Sequence, residues 1–160
     1  MKKLSKLVIA FVFIFLITGC RKENVSLSKD KTITCTKTTT DEDGYKTEDK
    51  MEITYKDSKI TKVKDTNVSE TDPEMIDFTY TLMTGFAETF NKINGLNVTY
   101  TKEDNNKIKF IMNVDYSNLN VESIKENLGE LYNEEESFYG DPDITIDEFK
   151  EKYLKEYTCN

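Results

Sequence analysis

Three cysteines, Cys20, Cys35 and Cys159, are the residues of this chain best suited to covalent chemistry. A thiol can be alkylated, can join a disulfide or can act as a redox nucleophile. Cys35 and Cys159 are 124 residues apart and the chain has no C-x-x-C pair, so a structural disulfide between them is the leading interpretation. Two unpaired thiols and a redox-active pair are the alternatives. A bond across such a loop contributes roughly 5 kcal/mol in the chain-entropy model.

Cys20 follows a segment typical of a secretory signal. Lysines occupy positions 2, 3 and 6, and an uncharged run extends from Val8 to Ile17. About ten apolar residues span about 15 Å as a helix, half of a bilayer core, so we expect no permanent transmembrane anchor. The segment ends LITGC, residues 16–20, which resembles the lipobox of bacterial lipoproteins. An ordinary signal peptide that ends in cysteine is the alternative.

The lipobox resemblance implies a lipid anchor at Cys20. In that family a diacylglyceryl group alkylates the thiol, the signal peptide (here residues 1–19) is removed, and the new amine can also be acylated. Two acyl chains hold a soluble domain on a membrane because each buried methylene contributes roughly 0.8 kcal/mol. The resemblance therefore implies a protein anchored to the extracytoplasmic face of the cell membrane, where disulfides persist.

Sequence motifs give little indication of catalysis. Histidine, the commonest general base and metal ligand, is absent from the sequence. Ser26-Leu27-Ser28-Lys29 matches the S-x-x-K motif of penicillin-binding enzymes, but the chain lacks the partner motifs S-D-N and K-T-G. Its 30 acidic residues guarantee chance carboxylate pairs, so no pair can be singled out as acid and base. We expect no catalytic residue, no cofactor and no enzyme activity.

Residues 141–152 resemble part of a calcium-binding loop. The sixth position, where glycine is required, is Ile146, and the twelfth, where glutamate is required, is Lys152. Thr145 and Glu148 fit a helix capping box better. We expect no metal ligand here, with an irregular calcium site as the alternative.

The acidic charge of the chain excludes one class of partner. Removal of residues 1–19 leaves 19 basic and 30 acidic residues, so the net charge changes from −8 to −11. Such a domain repels phosphate backbones, and we expect no nucleic-acid partner. Residues 20–31 are polar without periodicity, which indicates a flexible tether, and residues 32–160 are long enough for one domain.

Hydrophobic periodicity predicts a sheet of about five strands. The predicted strands are Thr32–Lys37, Met51–Tyr55, Ile60–Val63, Leu96–Tyr100 and Ile108–Tyr116. Together with the helices described next, they give an α+β fold. Its antiparallel sheet has the order β-β-β-α-β-β-α-α and is covered by one long helix and two short helices.

Capping signals predict three helices. Asp72-Pro73 is expected to start the long helix, and Gly95 to cap its end. Asn120 and Thr145 are expected to cap the two short helices. Apolar residues at helical spacing predict that the long helix buries a broad face against the sheet. These residues form two rows: Ile76, Tyr80, Met83, Ala87 and Phe90, and Phe78, Leu82, Phe86 and Ile93.

The order of these elements resembles a known family. A lipobox, three strands, a long helix, a hairpin ending VDYSNLN (Val114 to Asn120) and a short C-terminal helical region resemble the YehR-like bacterial lipoproteins. The likeness extends over nearly the whole mature chain. It implies an α+β domain and carries no established activity, so it transfers no functional residues. Members of the family need not share the Cys35–Cys159 pair, and that bond depends on the spacing argument alone.

These observations favour a membrane-anchored, non-catalytic protein that binds a small ligand or an envelope protein. A carboxylate-dependent hydrolase of envelope glycans and a structural subunit of an envelope assembly are the alternatives. A deep cleft with two carboxylates about 5 to 10 Å apart would favour the hydrolase. An exposed apolar or aromatic patch would favour the binding protein.

Overall fold

A computed structural model of the chain describes residues 29–129, 132–133 and 137–160. The predicted signal peptide, Cys20, the serines of the S-x-x-K motif and most of the tether lie outside the described residues. Among those that are described, no helix is both long enough and apolar enough to cross a membrane.

One antiparallel sheet of six strands forms the scaffold. The strands are β1 (Lys31–Thr40), β2 (Lys46–Lys56), β3 (Lys59–Glu70), β4 (Leu96–Asp104), β5 (Lys107–Asp115) and β6 (Thr158–Cys159). Their order across the sheet is β4-β5-β3-β2-β1-β6. The α+β class with an antiparallel sheet is as predicted, and the sheet has six strands where about five were expected. The missing strand is β6, whose two residues are too few to show any periodicity.

Within the described ranges, three α-helices connect or follow the strands: α1 (Ile76–Phe90), α2 (Val121–Leu128) and α3 (Ile146–Tyr153). The Asn120 side chain accepts a hydrogen bond of 3.0 Å from the backbone N–H of Ser123 at the start of α2. Thr145 and Glu148 form the predicted capping box of α3. A 3₁₀ turn, Phe138–Gly140, precedes α3.

Both predicted ends of α1 were wrong. Asp72 accepts a hydrogen bond of 2.8 Å from the backbone N–H of Glu74. This bond belongs to a turn before the helix, so Asp72 is not the N-cap residue. The helix ends at Phe90, and Gly95 lies in the loop beyond it. Gly95 has φ +87°, and a Cβ atom there would lie 2.8 Å from the backbone of Leu119. Glycine is therefore needed for close approach of two loops.

The face of the sheet that bears the buried side chains is organised in rows across the strands. We call this side the inner face. The first row is wholly apolar and consists of Ile33, Ile53, Val63, Val114 and Leu96. The second contains one acid and consists of Cys35, Met51, Asp65, Met112 and Val98. The third is mixed and consists of Lys37, Asp49, Asn67, Phe110 and Tyr100.

Helix α1 buries less of its apolar surface than its sequence predicts. Phe78 is 63% exposed, Leu82 46% and Phe86 41%, and Met75 beside them is 47% exposed. The helix lies along β4, with fewer contacts to β5, at one edge of the sheet, so a single narrow side of it meets the sheet. Within α1 only Ile76 and Ala87 are fully buried. The expectation that Phe78, Leu82 and Phe86 belong to the core was therefore wrong.

Candidate functional site

A groove of about 380 Å³ lies between α1 and the inner face of β3, β4 and β5. Hereafter we name it the Asp65 groove. Its lining combines polar residues of β3 and the turn after it with mostly apolar residues of the other elements: Asp65, Asn67, Ser69, Glu70, Thr71, Thr79, Met83, Tyr100, Ile108 and Phe110.

Asp65 is the unusual residue of this groove. It is only 9% exposed, and its neighbours in the register are Met51 on β2 and Met112 on β5. Its Oδ1 atom is buried and has no hydrogen-bond partner among the described residues. Burial raises the pKa of Asp65 to about 7, and the Asp49 carboxylate adds to the rise, while the backbone N–H of Thr66 opposes it. A buried carboxylate oxygen without a partner is costly in free energy.

The polar residues next to Asp65 are bonded to one another. The Ser69 hydroxyl donates a hydrogen bond of 2.6 Å to Oδ1 of Asn67, and Nδ2 of Asn67 donates to Oδ1 of Asp49. Thr47 on β2 donates to Ser69 over 3.2 Å. This network fixes the side chains beside Asp65 and makes no hydrogen bond to Asp65 itself.

Aromatic and aliphatic side chains form the opposite wall. The rings of Tyr100 and Phe110 are paired across β4 and β5 with centroids 5.0 Å apart. Met83 reaches the groove from α1, and Ile108 lines it from β5. Burial raises the pKa of Tyr100, so its hydroxyl stays protonated near neutral pH.

Charges around the groove are mostly paired with opposite charges. Glu70 at its rim accepts a 3.1 Å hydrogen bond from the backbone N–H of Lys46, and its carboxylate lies 3.5 Å from Nζ of Lys107. The backbone hydrogen bond, and then Lys107, lower the pKa of Glu70. Lys37, opposite Asp49 in the register, forms an ion pair with Glu156.

Tyr157 lies close to the same acids from the C-terminal segment. Burial, followed by the charges of Asp49, Asp65 and Glu156, raises the pKa of Tyr157 to about 12. Asp65 therefore has an acidic and aromatic environment beyond the groove itself.

A second concavity, of about 700 Å³, lies on the outer face of the sheet. Several of its polar side chains are already engaged: Glu52 lies 3.9 Å from Lys64, and Asp115 accepts hydrogen bonds from Ser117 and Asn118. These hydrogen bonds lower the pKa of Asp115. The Asp65 groove is the stronger candidate because it holds a buried polar atom with no partner.

The structure brings two of the three predicted site residues together. The sulfur atoms of Cys35 and Cys159 lie 2.05 Å apart, which is the length of a disulfide bond, and their Cα atoms are 4.0 Å apart. The two residues face each other across β1 and β6, and Thr34 and Asn160 exchange backbone hydrogen bonds beside them. Cys20 lies outside the described residues.

In the segment that resembles a calcium-binding loop, residues 141–152, two of the acidic side chains make local interactions. Asp141 accepts a hydrogen bond from the backbone N–H of Asp143, and Asp143 pairs with Lys59 at 2.8 Å. Over residues 29–129, 132–133 and 137–160, no cluster of three or more acidic, cysteine or histidine side chains could hold a metal ion.

Sequence reasoning missed Asp65, although a signal for it exists. The period-two alternation of β3 continues past Val63, but its inward positions change to Asp65, Asn67 and Ser69. Polar residues at inward positions of a strand indicate a site or a strained core.

Comparisons with known proteins identify the fold. No protein-family model matches the chain, and no curated protein matches it significantly. The NMR structure of a protein from Streptococcus pneumoniae TIGR4 is similar at 15% identity and a TM-score of 0.54, over 86% of this chain and 89% of that one. The NMR structure of the E. coli YehR protein is similar at 13% identity and a TM-score of 0.58, over 79% and 87%. The chain has a YehR-like fold. At these identities the similarity extends to the fold alone.

Proposed function

We propose that this protein is a lipid-anchored binding protein on the extracytoplasmic face of the cell membrane, and that its ligand enters the Asp65 groove. The observation that carries the binding role is the buried, unpartnered Oδ1 of Asp65 on the groove wall. Folded proteins satisfy nearly all buried polar atoms, so an exception beside a groove is suited to a ligand that completes the hydrogen bonding.

The membrane anchor is the part of the proposal that depends on the sequence. The lipobox-like residues 16–20 support attachment through a diacylglyceryl group on Cys20. The cysteine pair at disulfide distance supports an oxidising compartment.

Lipidation is tested with Cys20→Ala. We expect the variant to be released from membranes or to accumulate as an uncleaved precursor, while Ser28→Ala in the tether leaves attachment unchanged. A Cys20→Ala protein with the wild-type mature mass and full membrane retention would exclude the anchor.

Binding is tested by fragment titration of the full chain in detergent micelles, followed by amide NMR shifts. We expect shifts that cluster on the groove lining. Thr79→Trp, which fills the groove from α1, should abolish them, and Thr81→Trp, at an exposed position of the same helix, should not. Shifts that cluster elsewhere, or that persist in Thr79→Trp, would contradict the proposal.

A second candidate function is carboxylate-dependent hydrolysis, and one observation favours it. Asp49 and Asp65 are diagonal neighbours on β2 and β3, and the backbones of diagonal residues in a sheet are roughly 7 to 8 Å apart, which lets the two carboxyl groups lie at a similar separation. That spacing suits an acid and base pair. Turnover of cell-wall fragments that is lost in both Asp49→Asn and Asp65→Asn would establish this candidate, whereas our leading proposal expects no turnover.

A further inference from the structure

We propose that the Asp65 groove takes an organic amine, with the protonated amino group against the Asp65 carboxylate and the apolar body along Met83, Tyr100, Ile108 and Phe110. This inference rests on the proposed binding function and names the chemical class of its ligand. It is carried by the Asp65 side chain, which is nine-tenths buried, lines the polar side of a groove whose other side is apolar, and has an Oδ1 atom with no partner among the described residues.

The charges of the groove select a cation. Among the described residues, its lining includes two acids, Asp65 and Glu70, and no basic side chain. The nearby lysines are each paired with an acid: Lys37 with Glu156, Lys102 with Asp77, and Lys107 with Glu70 itself, which leaves Asp65 as the lining acid without a basic partner. A carboxylate or phosphate ligand would place like charge against Asp65, whereas an ammonium group supplies the donors that Oδ1 of Asp65 lacks.

The walls of the groove select an organic cation over a metal ion. Calcium takes six to eight oxygen ligands, and the described residues hold no cluster suited to a metal. The Tyr100 and Phe110 rings instead offer aromatic faces and edges near the carboxylate, which suit a cation with a hydrocarbon body. A volume of about 380 Å³ lies at the small end of ligand sites, which favours a small amine.

Amine binding should depend on pH through Asp65. Between pH 5 and 8, burial keeps the hydroxyl groups of Tyr100 and Tyr157 neutral. Over the same range, its backbone hydrogen bond keeps the Glu70 carboxylate ionised. Asp49 on β2, Lys37 on β1 and Lys102 on β4, the last paired with Asp77 of α1, are further charged groups that face this region. Burial and Asp49 raise the pKa of Asp65 to about 7, so the proton on Asp65 must leave before an ammonium group can pair with it.

The experiment compares three probes of one shape: phenethylamine, 2-phenylethanol and 3-phenylpropionate. Each is titrated into the full chain in micelles at pH 5, 6, 7 and 8, and dissociation constants are taken from groove amide shifts. We expect the amine to bind the groove most tightly, with an affinity that rises about tenfold per pH unit up to pH 7 and then levels. The alcohol should show no such slope.

Matched variants locate the effect. Asp65→Asn should weaken amine binding at least tenfold at pH 8, and Glu88→Gln, an exposed acid on α1, should change it less than twofold. Dispersed amide spectra of both variants establish that they fold, and the pH slope of the wild-type chain tests the inference without any variant.

Each other outcome is decisive. If the alcohol or the acid binds the groove as tightly as the amine, or calcium chloride displaces the amine, the groove is a binding site but the amine class is wrong. Amine binding that survives in Asp65→Asn also excludes the class. If no probe shifts groove residues, both this inference and the proposed groove function fail.

Discussion

The inner face of β3 joins two contrasting regions of the molecule within two residues. At Val63 it belongs to the closed end, which we define as the first sheet row and the buried residue Phe149. At Asp65 it enters the Asp65 groove. Val63 is 1% exposed and Asp65 9%, so both are buried, yet one is aliphatic and the other a carboxyl group with an unpartnered oxygen.

The elements that pack over each region explain why one buries a valine and the other a carboxyl group. At the closed end, Phe149 shares one buried cluster with Ile53 and Val63, and its ring packs against Phe138 and Tyr153. At the other end, α1 lies along β4 and β5 and leaves a groove over β3. Burial of valine contributes about 1.5 to 3 kcal/mol, whereas a pKa raised to about 7 costs roughly 4 kcal/mol once Asp65 is ionised. One region stabilises the fold, and the other weakens it and leaves a polar site.

The largest effect is expected at the closed end, for Phe149→Ala. Phe149 has no exposed surface, and its removal should lower the free energy of unfolding by about 3 to 5 kcal/mol through lost burial and a cavity. Urea denaturation measures the loss. Phe149→Leu, which keeps most of the volume, is the control and should lose roughly 1 kcal/mol. A loss below about 1 kcal/mol for Phe149→Ala would mean that the closed end does not hold the fold together.

Reduction of the Cys35–Cys159 pair should have the next largest effect, about 2 to 5 kcal/mol, because the bond closes a loop of 124 residues. Far-ultraviolet circular dichroism at room temperature should stay unchanged. Hydrogen exchange should rise most at Thr34 and Asn160, where β6 pairs with β1. Intact mass after thiol alkylation without reductant provides the check. Alkylation of both Cys35 and Cys159 in the purified protein would mean that no bond forms.

The closed end was predictable from sequence to a degree that the groove was not. Alternation at Ile53, Val63 and Val114 predicted their strands, because a half-buried sheet imposes period two on its apolar residues. The capping box at Thr145 is likewise local. By contrast, the site at Asp65 depends on where α1 packs against the sheet. That position is set by contacts between segments that are far apart in the sequence. For the same reason the exposed row of α1 was mistaken for core, since a helical apolar pattern does not reveal how wide its partner surface is.

Asp65→Asn should change how stability depends on pH. The folded-state pKa of about 7 lies above the ordinary value of 3.8, so the folded state holds this proton more tightly, and stability falls as pH rises from about 4 to 7. Between pH 5 and 8 the free energy of unfolding of the wild-type chain should fall by about 2 to 3 kcal/mol more than that of Asp65→Asn, as measured by urea denaturation at both pH values. Glu88→Gln is the control of equal charge change. Parallel pH profiles for the wild-type chain and Asp65→Asn would contradict the buried, ionisable state of Asp65.

The smallest effect is expected on the outward side of α1, for Phe78→Ser. Phe78 is 63% exposed, phenylalanine and serine have similar helix propensities, and no described element packs over that side of the helix. The free energy of unfolding should therefore change by about 0.5 kcal/mol or less. Met83→Ser on the opposite side, which lines the Asp65 groove, should cost more, roughly 1 to 2 kcal/mol, because its side chain is half buried.

Phe78→Ser and Met83→Ser compare the two sides of α1. Urea denaturation of both variants under the same conditions measures the difference in their free energies of unfolding. Ala87 belongs to the buried cluster of the sheet and Met83 lines the groove, so the outer row of Met75, Phe78, Leu82 and Phe86 can change without moving the groove wall. If Phe78→Ser cost as much as Met83→Ser, Phe78 would have to be covered in the folded protein. The groove would then lie beneath a helix packed on two sides, and its width would no longer be set by the sheet contacts of α1 alone.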